Sequence, residues 1–273
     1  MKIGMRGHDF GKMPPEVLFE FIKSKGFDTI QLAPVKAILG INSFNDITET
    51  YIEKIKEEAT KAKVEISVLG CYIEPSLIDK EARLSQVAIF QKNIQYAKAF
   101  GSFIGTETTR LSPDTPISER EKIYSLLLDS VLRMVETAEK YNVDIVIEPV
   151  SDHTLNTAEL TKRLIEDVDS DRLKLIFDPF NVLLPSEIDM QPKVYDTYFE
   201  LVGKYIEIIH MKGLDIQNKE KVWTTLEKGL INYEHIFNWL HKNKPNIPIL
   251  REHIMLETYK EDLEFMRRYG KRT

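Results

Sequence analysis

DIVIEPVSDHTLNTAELTKRLIEDVDSDRLKLIFD, residues 144–178, decides the fold. The first five residues, DIVIE, form a short β-branched run that stops on a charged side chain, Glu148. Thr157 then opens a helical pattern. After it, KLIF at 174–177 makes a second apolar run, and Asp178 ends it. Two strands joined through a helix form a crossover, which makes them parallel neighbours in one sheet. Both strands run up to a carboxylate.

The same unit repeats in both directions. Strand patterns occur at KIGM (2–5), DTIQL (28–32), EISVLG (65–70) and FIGTE (103–107) before it, and at IEIIH (206–210) and IPIL (247–250) after it. Helical patterns lie between them. Pro14-Pro15 opens one that closes near Gly26, following the proline-start, glycine-stop asymmetry of helix ends. Others cover 48–62 and 80–100, the latter closed by Gly101. Ser118, with Glu121 three residues on, has the spacing of a capping box. The remaining helices are expected from Thr157, over 193–204, from Tyr233 and from Thr258. Eight strands alternating with eight helices in 273 residues predict a single (β/α)8 TIM barrel spanning 1–273. No glycine-rich dinucleotide fingerprint or P-loop favours an open sheet instead. The irregular stretches 33–47, 108–117, 179–192 and 211–230 all follow strands, the side of a barrel where active sites sit.

Four of the strand ends carry ligand-type residues: Glu148, Asp178, His210 and Glu252, on strands five to eight. Neighbouring strands lie about 4.8 Å apart, so side chains at one level on adjacent strand tops converge on a single point. Taken singly, each carboxylate is an ordinary helix cap or arginine partner, and His210 an ordinary core histidine. Together they form a mostly hard ligand set suited to one divalent ion, Mn, Mg, Co, Fe(II) or Zn. Arg6, His8 and Asp9 follow the first strand and face the same rim, as substrate-recognition groups or as turn residues with an Arg–Asp pair. Glu107 ends the fourth strand, either facing the site or pairing with Arg110. Lys212 follows His210 and offers a point charge for a substrate oxyanion. Trp223 lies in a rim loop, as a wall or as packing.

Composition narrows the partners. The formal net charge is −6, the opposite of a nucleic-acid footprint, so no nucleic-acid partner is expected. No apolar run reaches the roughly 18 residues of a membrane span, and the N-terminal residues lack a signal-peptide core. A cytoplasmic protein without membrane contact is expected, with self-association left open. The single cysteine, Cys71, excludes an intrachain disulfide and a thiolate-rich metal centre, and reads as a small apolar residue at a strand end. His235 and His241 fall on a polar helix pattern and should face solvent; His253 should point away from Glu252.

The order and spacing of IVIEPV followed by LNTAE, then FDPFN, IIHMKG, GLINYEHIFNWL and ILREH resemble the xylose isomerase-like TIM-barrel superfamily, and within it the sugar phosphate isomerase/epimerase group. The resemblance covers nearly the whole chain. It implies that Glu148, Asp178, His210 and Glu252 bind one divalent metal. It further implies that Glu148 and Glu252 transfer protons during isomerisation or epimerisation of a monosaccharide, sugar phosphate or related polyol through an enediolate. An inosose dehydratase-like lyase on the same metal site and a non-catalytic sugar-binding barrel are the alternatives. The chain departs from the pattern twice: Asn181 stands where the second motif often has His, and Gly213 where the third often has Asp. Asn181 can still bind a substrate hydroxyl but cannot shuttle a proton. The departures, and the lack of a histidine cluster, count against the DNA-repair endonucleases that share the fold.

Overall fold

The structure, a computed structural model, describes residues 1–270. The chain begins with β1 (Ile3–Arg6), α1 (Pro15–Ser24), β2 (Thr29–Leu32), α2 (Pro34–Ala37), α3 (Glu49–Ala62), β3 (Glu65–Gly70), α4 (Lys80–Phe100) and β4 (Phe103–Glu107). It continues through α5 (Ile117–Tyr141), β5 (Ile145–Glu148), α6 (Ala158–Val168), β6 (Leu173–Phe177), α7 (Pro179–Val182), α8 (Gln191–Val202) and β7 (Ile206–Met211). A hairpin, β8 (Gly213–Gln217) and β9 (Glu220–Thr224), precedes α9 (Tyr233–Asn243), β10 (Ile249–Arg251) and α10 (Tyr259–Gly270).

Strands β1–β7 and β10 close into a parallel barrel in the order β1-β10-β7-β6-β5-β4-β3-β2. Closure falls at Ile3 against Ile249 on one side of β1 and Gly4 against Thr29 on the other. The eight strands and the eight long helices around them are those expected from the chain's alternation. Local caps explain several boundaries. Thr157 accepts a hydrogen bond from the Leu160 amide at the start of α6, and Asp79 does the same from Ala82 for α4. Gly101 ends α4 at φ 66°, the left-handed conformation that a helix stop favours.

Two expectations fail here. Helix α5 begins at Ile117, capped by Pro116 without a side-chain bond, so Ser118 makes no capping box. The Pro116 carbonyl itself accepts from Glu119 and Arg120, and its ring pre-sets φ. The stretch 211–230 is not irregular: it holds the β8–β9 hairpin, paired from Gly213–Thr224 to Gln217–Glu220.

Alternation along the strands positions the site. Val68, Val146, Ile176, Ile208 and Leu250 pack together as a buried apolar layer inside the barrel. Successive residues of a strand point to opposite faces, so residues two further on point inward again, one layer higher. From Val146, Ile176, Ile208 and Leu250 that step reaches Glu148, Asp178, His210 and Glu252. One more step from His210 reaches Lys212. The steps from Gly4 and Gly105 reach Arg6 and Glu107, and two steps from Val68 reach Tyr72. The barrel is thus plugged by hydrocarbon below and lined by polar groups above. Arg251 has the other parity; it points outward and pairs with buried Asp262 on α10 at 2.8 Å.

Candidate metal centre

Glu148, Asp178 and His210 are buried, and one ligand atom from each lies within 4.8 Å of the other two. Glu252 completes the ring: its Oε1 is 3.5 Å from His210 Nδ1, while Glu148 Oε2 is 3.1 Å from the same nitrogen. Three of the four expected residues thus meet at one point, and the fourth, Glu252, reaches His210 beside them. Each carboxylate is oriented by its other contacts. Asn181 Nδ2 donates to Glu148 Oε1 at 2.5 Å. Asp178 Oδ1 accepts from the amides of Phe180 and Asn181 at the start of α7, at 2.8 and 3.3 Å. Arg6 reaches Glu252 Oε2 at 3.3 Å, and Lys212 Nζ reaches the same oxygen at 3.0 Å.

The donor set fits a divalent ion. Three carboxylates face one imidazole; Nδ1 of His210 meets the Glu148 and Glu252 carboxylates, while Nε2 has no hydrogen-bond partner among the described residues. A buried ring nitrogen left unpaired is costly. Burial opposes the imidazolium of His210, but Glu252 and Glu148 outweigh burial and raise the group to about 9. Burial likewise pushes Glu252 up, yet Lys212, His210 and Arg6 hold it well below the usual carboxylate range.

The opposite side of the mouth has a different character. Arg6 pairs with Asp9 at 2.7 Å as well as with Glu252, so the Arg–Asp pair and the rim-facing role coexist. His8 is lowered to about 3 by burial and then by Arg6 and Lys36. Glu107 sits in register with Glu148 on the neighbouring strand; burial, Glu148 and Glu252 raise it to about 7. Arg110 is not its partner but pairs with Asp152 at 3.2 Å. Residue typing alone missed three groups here: Tyr72, Gln31, which donates to the Tyr72 hydroxyl, and Lys36, whose Nζ lies 4.1 Å from the Tyr72 ring centroid. Inward parity from Gly70 would have found Tyr72.

The remaining residues fall as follows. Trp223 lies on β9, is 60% exposed and stacks on His253 with centroids 3.7 Å apart. His253 therefore does not point away from the site: β10 ends at Arg251, and a left-handed φ of 56° at His253 turns it onto the rim beside Arg6 and His8. His235 and His241 are half-buried rather than freely solvated, bonding Asp196 and the Tyr269 carbonyl. His153 is buried in the loop after β5. Cys71 is buried at the end of β3, as expected of a small apolar residue. At Gly213 a Cβ would stand 2.1 Å from the Thr224 carbonyl oxygen, so the hairpin crosses this position with no room for a side chain.

The chain matches the xylose isomerase-like TIM barrel family over residues 19–269, and it belongs to that family. Among solved structures it is similar to a D-tagatose 3-epimerase-like protein, at TM-score 0.80 and 17% identity, covering 98% of this chain and 97% of the other. It is similar to the 3-keto-D-glucoside 4-epimerase of E. coli, at TM-score 0.78 and 16% identity, covering 98% and 99%. A xylose isomerase-like TIM barrel protein from Mycobacterium smegmatis in complex with magnesium is similar at TM-score 0.72 and 19% identity, covering 98% and 96%. Such identities establish the shared fold. No curated protein matches the chain. Among the described residues, no helix is long and apolar enough to cross a membrane.

Proposed function

We propose that the protein is a metal-dependent isomerase or epimerase of a monosaccharide, sugar phosphate or related polyol. The observation that carries this reading is the placement of Glu148 Oε2 and Glu252 Oε1 on the same imidazole nitrogen, at 3.1 and 3.5 Å, with the second oxygen of each carboxylate tied back. Glu148, Asp178, His210 and Glu252 would hold one divalent ion. When bound, such an ion supplies Lewis-acid polarisation of a carbonyl and its neighbouring hydroxyl, which acidifies the C–H between them. The epimerases and the magnesium complex among the structural neighbours support the reading.

The chain's own groups divide the rest of the work. Glu252 is held ionised by Lys212, His210 and Arg6, the form a general base needs, and it accepts a proton as those cations move to the substrate oxygens or the ion. Glu148 returns a proton from the other side, its orientation fixed by Asn181. Two carboxylates on either face of an enediolate allow removal from one face and delivery to the other. Arg6, His8, Glu107, Tyr72 and Asn181 offer hydrogen bonds to substrate hydroxyls. The apolar layer of Val146, Ile176, Ile208 and Leu250 closes the floor against water.

Incubating Mn-loaded protein with free and phosphorylated ketoses in deuterated water tests this. Product should gain deuterium at the carbon beside the carbonyl, because a carboxylate proton exchanges with solvent. Complete retention of the original hydrogen in a confirmed conversion would remove the proton-transfer roles of the glutamates. A lyase reading is favoured by one observation: Glu107, raised to about 7 beside Glu148, is a carboxyl able to hold the proton that a departing hydroxyl needs. Product lighter by one water, in the same incubations, would select it.

A further inference from the structure

Asp178 has one oxygen to give, and Lys212 already holds it. The Oδ1 atom accepts two backbone amides, those of Phe180 and Asn181. The Oδ2 atom is 2.7 Å from Lys212 Nζ. The same ammonium is 3.0 Å from Glu252 Oε2. Lys212 is only 4% exposed, so this is a cation built into the cage, one layer above His210, and not a surface lysine that has folded inward. Its direction follows from strand parity: Ile208, His210 and Lys212 all point into the barrel. An ion that takes Asp178 as a ligand must do so through Oδ2, the oxygen the ammonium occupies.

We propose that Lys212 is a resident competitor for the divalent ion, exchanging with it at Asp178 and weakening its binding. The inference rests on the metal reading above and deepens it. Three clustered carboxylates would strain the fold if left without a counter-charge. The ammonium supplies that charge when no ion is bound, and by the same token lowers the negative charge that attracts a divalent cation. The Phe180 ring centroid lies 5.6 Å from Lys212 Nζ, but Lys221 Nζ already sits 4.8 Å from the same ring, so Lys212 leaves Asp178 only against a like charge. The cage thus trades one cation for another.

The test compares Mn(II) binding by the wild-type protein and Lys212→Met, which keeps an unbranched stem and removes the charge. Titration calorimetry at fixed pH should show Mn(II) bound at least about tenfold tighter by the variant. Thermal denaturation adds a second readout: the metal-free variant should melt lower than wild type and gain more from Mn(II). If the metal-free variant does not fold, it is prepared with Mn(II), and slower ion loss to a chelator replaces the titration. Lys221→Met is the charge control. Lys221 donates to the Phe180 and Leu183 carbonyls and touches none of the four ligands. Equal or weaker binding by Lys212→Met, with wild type binding normally, overturns the inference and leaves the metal reading standing. An equal gain in Lys221→Met also overturns it, since the effect would then be general charge. No Mn(II) bound by either protein defeats the metal reading and the inference with it.

Discussion

Two histidines share the barrel mouth and are driven in opposite directions. His210, on β7, is raised to about 9, because Glu252 and Glu148 outweigh its burial. His8, just past β1, is lowered to about 3 by burial with Arg6 and Lys36 close by. His253, stacked on Trp223, follows His8 and falls to about 4 through burial and Arg6. The mouth is thus split. The side built by β5, β6, β7 and β10 concentrates negative charge and attracts cations. The side built by β1 to β4 carries Arg6, His8, Lys36, the Tyr72 hydroxyl and the raised carboxyl of Glu107, groups suited to hydrogen-bonding the oxygens of a polyol. One side suits chemistry at an ion, the other suits grip.

The most severe way to break this division is to exchange a proton-handling glutamate for its amide. Glu252→Gln should lower kcat by about 100- to 10,000-fold while leaving the fold intact. His8→Gln, on the gripping side, should instead raise KM with kcat largely preserved, the signature of lost uniform binding. Steady-state kinetics on one active ketose measures both; similar kcat losses in the two variants would dissolve the distinction.

A smaller effect is expected at Asn181, which touches Glu148 but is not itself one of the four proposed ligands. Removing an orienting contact behind a metal ligand costs about 10- to 100-fold in metal affinity or activity. Asn181→Ala should lie in that range and Asn181→Asp should be worse, placing a second carboxylate against Glu148. Mn(II) titration of both variants checks the order.

The mildest effect is on stability. A histidine raised in the folded state contributes stability that is present below its unfolded value of 6.5 and is lost as pH rises through about 9, the case of His210. Histidines lowered in the folded state contribute stability present above 6.5 and lost as pH falls toward about 4, the case of His253 and, lower still, His8. The metal-free protein should be most stable near pH 6.5. A bound divalent ion takes the place of the His210 proton, so Mn(II) should lift the alkaline limb and leave the acid limb in place. Melting temperatures across pH 4–9.5, with and without Mn(II), show whether the two limbs separate in this way.

The cation-binding side was legible in the sequence because its chemistry and its strand pattern coincide. Glu148, Asp178 and His210 each terminate an apolar run, Glu252 follows one by a single residue, and it is the four in register, not any one residue type, that suggest ligands. The gripping side carries no such signature. Tyr72 stands two residues beyond Gly70, past the end of β3, and Lys36 lies on the four-residue helix α2, where neither periodicity nor residue type picks it out. The β8–β9 hairpin escaped for a specific reason. Its turn residues Asn218 and Lys219 both have positive φ, 51° and 67°, the conformations that usually draw Asn-Gly or Asp-Gly. Lysine in the second position hides the signal. His253 was misplaced because strand alternation was extended past Arg251, where β10 has already ended.

The crowding at Gly213 bears on how this chain can change. The Thr224 and Thr225 carbonyl oxygens stand 2.1 and 2.4 Å from where a Cβ would be, so even alanine meets backbone there, not a side chain that could step aside. An aspartate at this position, the residue that the third motif often carries, is therefore out of reach of a single substitution. It would have to arrive together with a rebuilt or deleted hairpin, and the hairpin carries Trp223 and Lys221, which reach the rim and the α7 turn. Gly213 and the hairpin are thus one structural unit: the residue can gain a side chain only where the backbone beside it moves.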